Sequence, residues 1–166
     1  MTQFTNSPIS QNQQYTDVSM PHRLVAVDPG VTTGVAFLTY DNSYVRLEKS
    51  LQVTGGREGF IEWILREIKA AKLPVDDFVC EDFILRPGVH GANIEPAFII
   101  GAMQAVLNGK EVKLQEAGLK KLVNDDRLKK LEVFTSGKPH ANDAARHGII
   151  YFRNKKHMPT LLKGWD

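Results

Sequence analysis

Three acidic residues stand where an apolar or neutral side chain would be less costly to bury. Asp28 ends the apolar run Leu24-Val25-Ala26-Val27, Glu81 interrupts Phe78-Val79-Cys80, and Asp143 sits among alanines in HANDAARHG. Carboxylates near a core are costly unless paired, hydrogen-bonded or bound to a cation. Each acid alone reads equally well as a capping or turn-forming residue. Jointly, three clustered carboxylates would repel one another, and a hard divalent cation with oxygen ligands would relieve that repulsion. Magnesium or manganese is the natural occupant of such a group. His140 lies three residues before Asp143, on the same face if the segment is helical.

For these acids to meet, the intervening chain must fold them to one edge. The run ending in Asp28-Pro29-Gly30 reads as a central strand buried on both faces and stopped by a turn. Residues 35–40 form a second strand, Asp41-Asn42-Ser43 a turn, and residues 44–53 a third strand, together an antiparallel meander. After Gly55-Gly56 the spacing of Phe60, Ile61, Ile64, Leu65 and Ile68 predicts a helix up to Pro74. The next strand, 78–83, returns through that helix and should run parallel to an earlier one. Two central parallel strands ending on the same side would bring Asp28 and Glu81 together, and a helix packed across that side could add Asp143.

Pro96 suits the first turn of a following helix that is apolar nearly all round, closed by Asn108-Gly109. Either the monomer covers it on every side, the reading adopted here, or one face meets a second subunit. Residues 112–115 are a last strand, 119–131 a basic helical stretch, and His140 opens a final helix. The order β-β-β-α-β-α-β-α-α is that of an α/β domain with a mixed sheet flanked by helices.

The chain has 166 residues, 42% of them hydrophobic, and a single cysteine. This fits one domain with a substantial core, and it excludes an internal disulfide or a multi-cysteine zinc site. No apolar run is long enough to suggest a membrane span, and the first residues lack the features of a secretory signal, so a reducing cytoplasm is expected. Residues 1–21 are polar and aperiodic and read as a flexible arm. The net charge is only +2, but residues 109–166 carry 13 basic against 7 acidic groups. A polyanion would dock on that basic third, although lysines that merely solubilise helices would look the same.

The segments LVAVDPGVTTGVAFL, VCEDF and HANDAARHGIIYF, in this order and at these separations, resemble the RuvC family of Holliday junction resolvases, with the last motif most like phage-encoded members. The resemblance spans roughly residues 23–155 and implies an RNase H-like fold, a mixed five-stranded sheet with helices on both faces. It places the nuclease domain at 22–158 and leaves 159–166 as a C-terminal tail. It implies that Asp28, Glu81, His140 and Asp143 are catalytic and bind metal, with two Mg2+ or Mn2+ ions per site, and that Lys120 and Lys129 contact phosphates of the cut strand. Bacterial members use an aromatic wedge beside the glutamate, and Phe83 or Ile84 stands near that position. VNDDRLKKL replaces their glycine-rich basic stretch.

The implied activity is resolution of branched DNA, chiefly four-way junctions, by a homodimer whose paired nicks leave 5′-phosphate and 3′-hydroxyl ends. The loop 86–93 is the candidate for contact with the junction centre. Asp82 ranks below Glu81 as a ligand, since neighbouring strand residues point to opposite faces. His147, four residues after Asp143, could support that acid or face DNA, but reads more simply as an exposed helix histidine. Other readings stay open: a broader nuclease of forks, flaps or three-way junctions, an actin-like nucleotide-binding protein using DPGVTTG as a phosphate loop, or a noncatalytic DNA-binding module.

Overall fold

In a computed structural model of the chain, residues 20–85 and 93–165 are described. The polar arm, apart from its last two residues, and the loop 86–93, apart from Asn93, lie outside them. Five strands form one sheet in the order β3-β2-β1-β4-β5, with β1 at His22–Asp28, β2 at Thr33–Tyr40, β3 at Val45–Val53, β4 at Asp77–Glu81 and β5 at Val112–Gln115. The first three pair as the expected antiparallel meander, and β4 runs parallel to both β1 and β5.

The continuous apolar runs are explained by burial on both faces. Leu24 and Ala26 of β1, Ala36 and Leu38 of β2, and Val79 of β4 enter one core. Val25 and Val27, Val35 and Phe37, and Phe78 and Cys80 enter the other. The second core is covered by α1 (Gly56–Ile64) and α2 (Glu95–Leu107), through Phe60, Trp63, Ile64, Ile99 and Met103. α1 continues as a wider, π-type turn at Leu65–Ala70, which keeps Ile68 buried before the stop at Pro74. The first core is covered by α3 (Asp125–Lys130) and α4 (Pro139–Asn154).

α4 lies unusually close to the sheet because it presents small residues there. A Cβ on Gly148 would come 2.4 Å from Leu38 Cδ1, and Ala144 and Ala145 are buried alongside. At the helix's other end, a Cβ on Gly34 would fall 1.8 Å from the His140 carbonyl oxygen. Gly34 is the β2 partner directly opposite Asp28. Its missing side chain is therefore what lets the N-terminus of α4 close on the end of β1.

Three expectations need correction. The 119–131 stretch is not one helix: a 3-10 segment at Ala117–Leu122 gives way to extended Val123, and Asn124 caps α3 by accepting a hydrogen bond from the Arg127 amide at 2.9 Å. A side chain that satisfies an orphan amide starts a new helix rather than continuing an old one. α2 is not covered all round: Ile99, Ile100, Met103 and Leu107 are buried, whereas Ile94 and Phe98 are about half exposed. Residues read as a tail instead form α5 (Met158–Trp165), with Thr160 fully buried and Gly164 packed against Leu131. Among the described residues no helix is long and apolar enough to cross a membrane.

Candidate active site

β1 and β4 are parallel, so Asp28 and Glu81 leave the sheet at the same edge. α4 crosses that face and brings Asp143 to them. The three carboxylates converge on the ammonium of Lys120, whose Nζ lies 3.3 Å from Asp28 Oδ1, 2.8 Å from Glu81 Oε2 and 3.1 Å from Asp143 Oδ2. Lys120 lies in the 3-10 segment, ahead of the break before α3. It is tucked among the acids at the edge of the groove, with its side chain 28% exposed. His140 borders the group, its Nδ1 3.4 Å from Asp28 Oδ2 and its amide donating to Gln52 Oε1.

The electrostatics follow from burial. Asp28 is almost inaccessible, and desolvation pushes its carboxyl up to about 6 despite Lys120, with Glu81 and Asp143 pushing the same way. For Glu81, desolvation also raises the value, but hydrogen bonds from His147 and Lys120 outweigh it and hold the carboxyl near 2. Lys120 is held charged above its ordinary range: burial opposes this, and its bonds to Glu81, Asp28 and Asp143 win.

Two partners of these acids were not recognised in the sequence. His147 is fully buried rather than exposed, with Nε2 2.8 Å from Glu81 Oε2 and Nδ1 2.9 Å from Gln115 Oε1. The only signal for it was its place one turn beyond Asp143 on the site-facing side of α4. Arg146 bonds both Asp143 and Asp125, and its Nε donates to the Val123 carbonyl at 2.8 Å. An open groove of about 510 Å³, lined by Lys120, Lys121, Asn124, Asp125, Asp143 and Arg146, runs beside the acids.

The remaining candidates are dispersed. Lys129 is exposed on α3, pairs with Asp126 at 3.6 Å and lies over the Phe134 ring. Phe83 packs against the core under α1 and α2, while Ile84 next to it is 64% exposed. The Asp82 amide donates to the Gln115 carbonyl. The Thr33 hydroxyl of the DPGVTTG turn is buried and donates to the Gly30 carbonyl, so it is not presented to a phosphate.

Among the described residues, no three His, Cys, Asp or Glu side chains are arranged as they stand to hold one metal ion. The donor set nonetheless suits a hard cation. It consists of carboxylate oxygens from three elements, gathered around a single positive nitrogen, with one acid so deeply buried beside the other two that its proton affinity rises. Lys120 stands where a cation would.

No family model matches the chain, and no curated protein sequence matches it. Solved structures do, two junction resolvases among them. RuvC of T. thermophilus, in complex with Holliday junction substrate, is 14% identical over 81% of this chain and 97% of that one, with a TM-score of 0.57. The fowlpox virus Holliday junction resolvase is 15% identical over 80% of this chain and 99% of that one, with a TM-score of 0.56. At such identities the likeness establishes the fold alone: a mixed five-stranded sheet with helices, like that of the RuvC-type, RNase H-like structures.

Proposed function

We propose that the chain is a divalent-cation-dependent DNA endonuclease that resolves four-way junctions by paired, symmetric nicks. The carrying observation is the convergence of Asp28, Glu81 and Asp143 on one positive charge, at the sheet edge where two parallel strands end, beside an open groove to which Lys120, Lys121 and Arg146 contribute. Both folds it resembles belong to proteins described as acting on or complexed with such junctions.

In this reading Asp28, Glu81 and Asp143 hold the cations, and His140 ligates or orients at the Asp28 side. The chemistry a bound pair of Mg2+ or Mn2+ ions supplies is activation of water towards phosphorus and neutralisation of charge at the leaving 3′-oxygen. Arg146 keeps Asp143 from turning away. Lys120 holds the acids together before substrate arrives and then serves as the counter-charge to a backbone phosphate, with Lys121 along the same groove. Lys129 would contribute a more distant phosphate contact. Ile84, exposed just past Glu81, is better placed than Phe83 to press into an opened junction centre.

Symmetric nicking needs two sites related by a two-fold axis. The uncovered side of α2 offers the matching surface: Ala97, Gly101 and Ala105 are exposed one turn apart beside Phe98, and nothing lies within 4 Å of a Cβ built on Gly101. Small residues at this spacing let two helices approach closely.

The test is incubation of a synthetic mobile four-way junction with the protein in magnesium or in EDTA, alongside Asp28→Asn and Asp143→Asn. Cutting should occur only with magnesium, and both variants should bind the junction without cutting. Cutting by either variant would refute the assignment. Equal cleavage of forks, flaps and three-way junctions would favour the broader branched-DNA nuclease, which the same acids would serve.

A further inference from the structure

We infer that His147, braced by Gln115, is a positioning residue that fixes the Glu81 carboxylate in the orientation a cation requires; this rests on the nuclease reading above. Glu81 and Gln115 are register partners across the parallel pair β4 and β5. His147 reaches down from α4 and bonds both, at 2.8 Å and 2.9 Å, with no solvent exposure of its own. A buried imidazole with both nitrogens bonded has a fixed ring plane, so it can transmit that fixity to whatever it holds.

The direction of the bond to Glu81 does not depend on how the ring hydrogens are assigned. If Gln115 presents its carbonyl oxygen, Nδ1 carries a hydrogen, and Nε2 must carry one too because an ionised carboxylate is acceptor-only. If the Gln115 amide is turned, it donates into Nδ1, and the single ring hydrogen sits on Nε2. In both arrangements Nε2 donates to Glu81 Oε2. That oxygen also takes the Lys120 ammonium. When Lys120 withdraws to a phosphate, His147 is the partner that keeps Glu81 aimed at the site. Lys120 and Asp28 face this group from the 3-10 segment and β1, and Asp143 from α4 itself.

The arrangement is built from three elements and is not a helix-surface accident. Gln115 is itself buried, and its carbonyl accepts the Asp82 amide at 2.7 Å, which locks β5 to the strand carrying Glu81. Loss of a bond of this kind to a metal-holding carboxylate typically weakens metal affinity or activity about 10- to 100-fold.

The experiment compares wild type, His147→Leu, His147→Gln and Gln115→Met in the full chain. Mn2+ affinity is read by titration calorimetry, junction affinity in EDTA, single-turnover cutting at subsaturating Mn2+, and urea stability. His147→Leu should weaken Mn2+ binding about 10- to 100-fold and slow cutting in parallel, with junction affinity changed less than twofold. His147→Gln, which can still donate to Glu81, should recover most of the Mn2+ affinity even if it is as unstable to urea as the Leu variant. Gln115→Met should shift Mn2+ affinity in the same direction by a smaller factor. Equal Mn2+ affinities for wild type and His147→Leu, or for the Leu and Gln variants, would overturn the inference. A wild type that binds Mn2+ but cuts no branched DNA would refute the nuclease reading and leave the positioning role of His147 to be judged on affinity. A wild type that binds no Mn2+ would sink both.

Discussion

Replacing Lys120 with Met removes the one positive charge lying between three carboxylates while keeping most of the side-chain volume. At separations of 2.8, 3.1 and 3.3 Å, each pair is worth about 5 kcal/mol of attraction at an effective dielectric of about 20. Repulsion among the acids and the lost hydration of the ammonium offset most of that. Breaking a buried pair costs about 3–5 kcal/mol in practice, and a side chain 28% exposed belongs at the lower end, about 3 kcal/mol. In EDTA at pH 7.5, urea denaturation should therefore show Lys120→Met less stable than wild type by about that amount. The same contacts oppose a cation in the wild type, because the ion must displace the ammonium. By linkage the variant should bind Mn2+ up to about 100-fold more tightly, since about 3 kcal/mol is roughly two powers of ten. A saturating cation at about 100 times its Kd would then restore about 2.7 kcal/mol of stability. Unchanged stability in EDTA, or weaker Mn2+ binding by the variant, would refute the idea that Lys120 stands in the cation's place.

Asp28→Asn should stabilise the metal-free protein at pH 7. The folded-state carboxyl lies about two units above its ordinary value, so its ionisation opposes folding by about 3 kcal/mol at most. That penalty is absent below about pH 4, grows as pH rises towards 6 and then levels off, so the advantage of the variant should vanish in acid when measured by urea midpoints across pH. The Glu81 carboxyl is shifted the other way. Its contribution should be present above about pH 4 and fade as pH falls towards 2, so Glu81→Gln should flatten the acid limb of the stability curve. Gly34→Ala puts a methyl group against the His140 carbonyl; loss of about 1–3 kcal/mol in thermal or urea unfolding is expected, with cutting reduced because α4 is lifted from Asp28. Gly101→Glu replaces a glycine whose Cβ position is open; it should raise monomer stability by up to about 1 kcal/mol and abolish self-association in sedimentation.

The sequence alone determined the succession of strands and helices along the chain, because period and apolar runs are local properties that report burial directly. Leu24 to Val27 had to be a two-sided central strand, and the helical return to residues 78–83 had to make that strand parallel to an earlier one, which the structure shows to be β1. That parallelism was enough to place Asp28 and Glu81 at one edge, whereas the close approach of α4 through Gly148, Ala144 and Ala145 is seen only in the structure. Tertiary structure alone decided what surrounds the acids. His147 reads as a surface histidine by spacing, yet it is sealed between α4 and the β4/β5 pair, because the partner that justifies its burial is Gln115, 32 residues earlier in the chain. Lys120 reads as a helix lysine on a basic surface. It faces inward because three acids remote in sequence supply the charge that makes burying an ammonium tolerable. Local patterns specify which face of an element is buried, whereas the pairing of polar groups depends on distances between elements, which no local pattern contains.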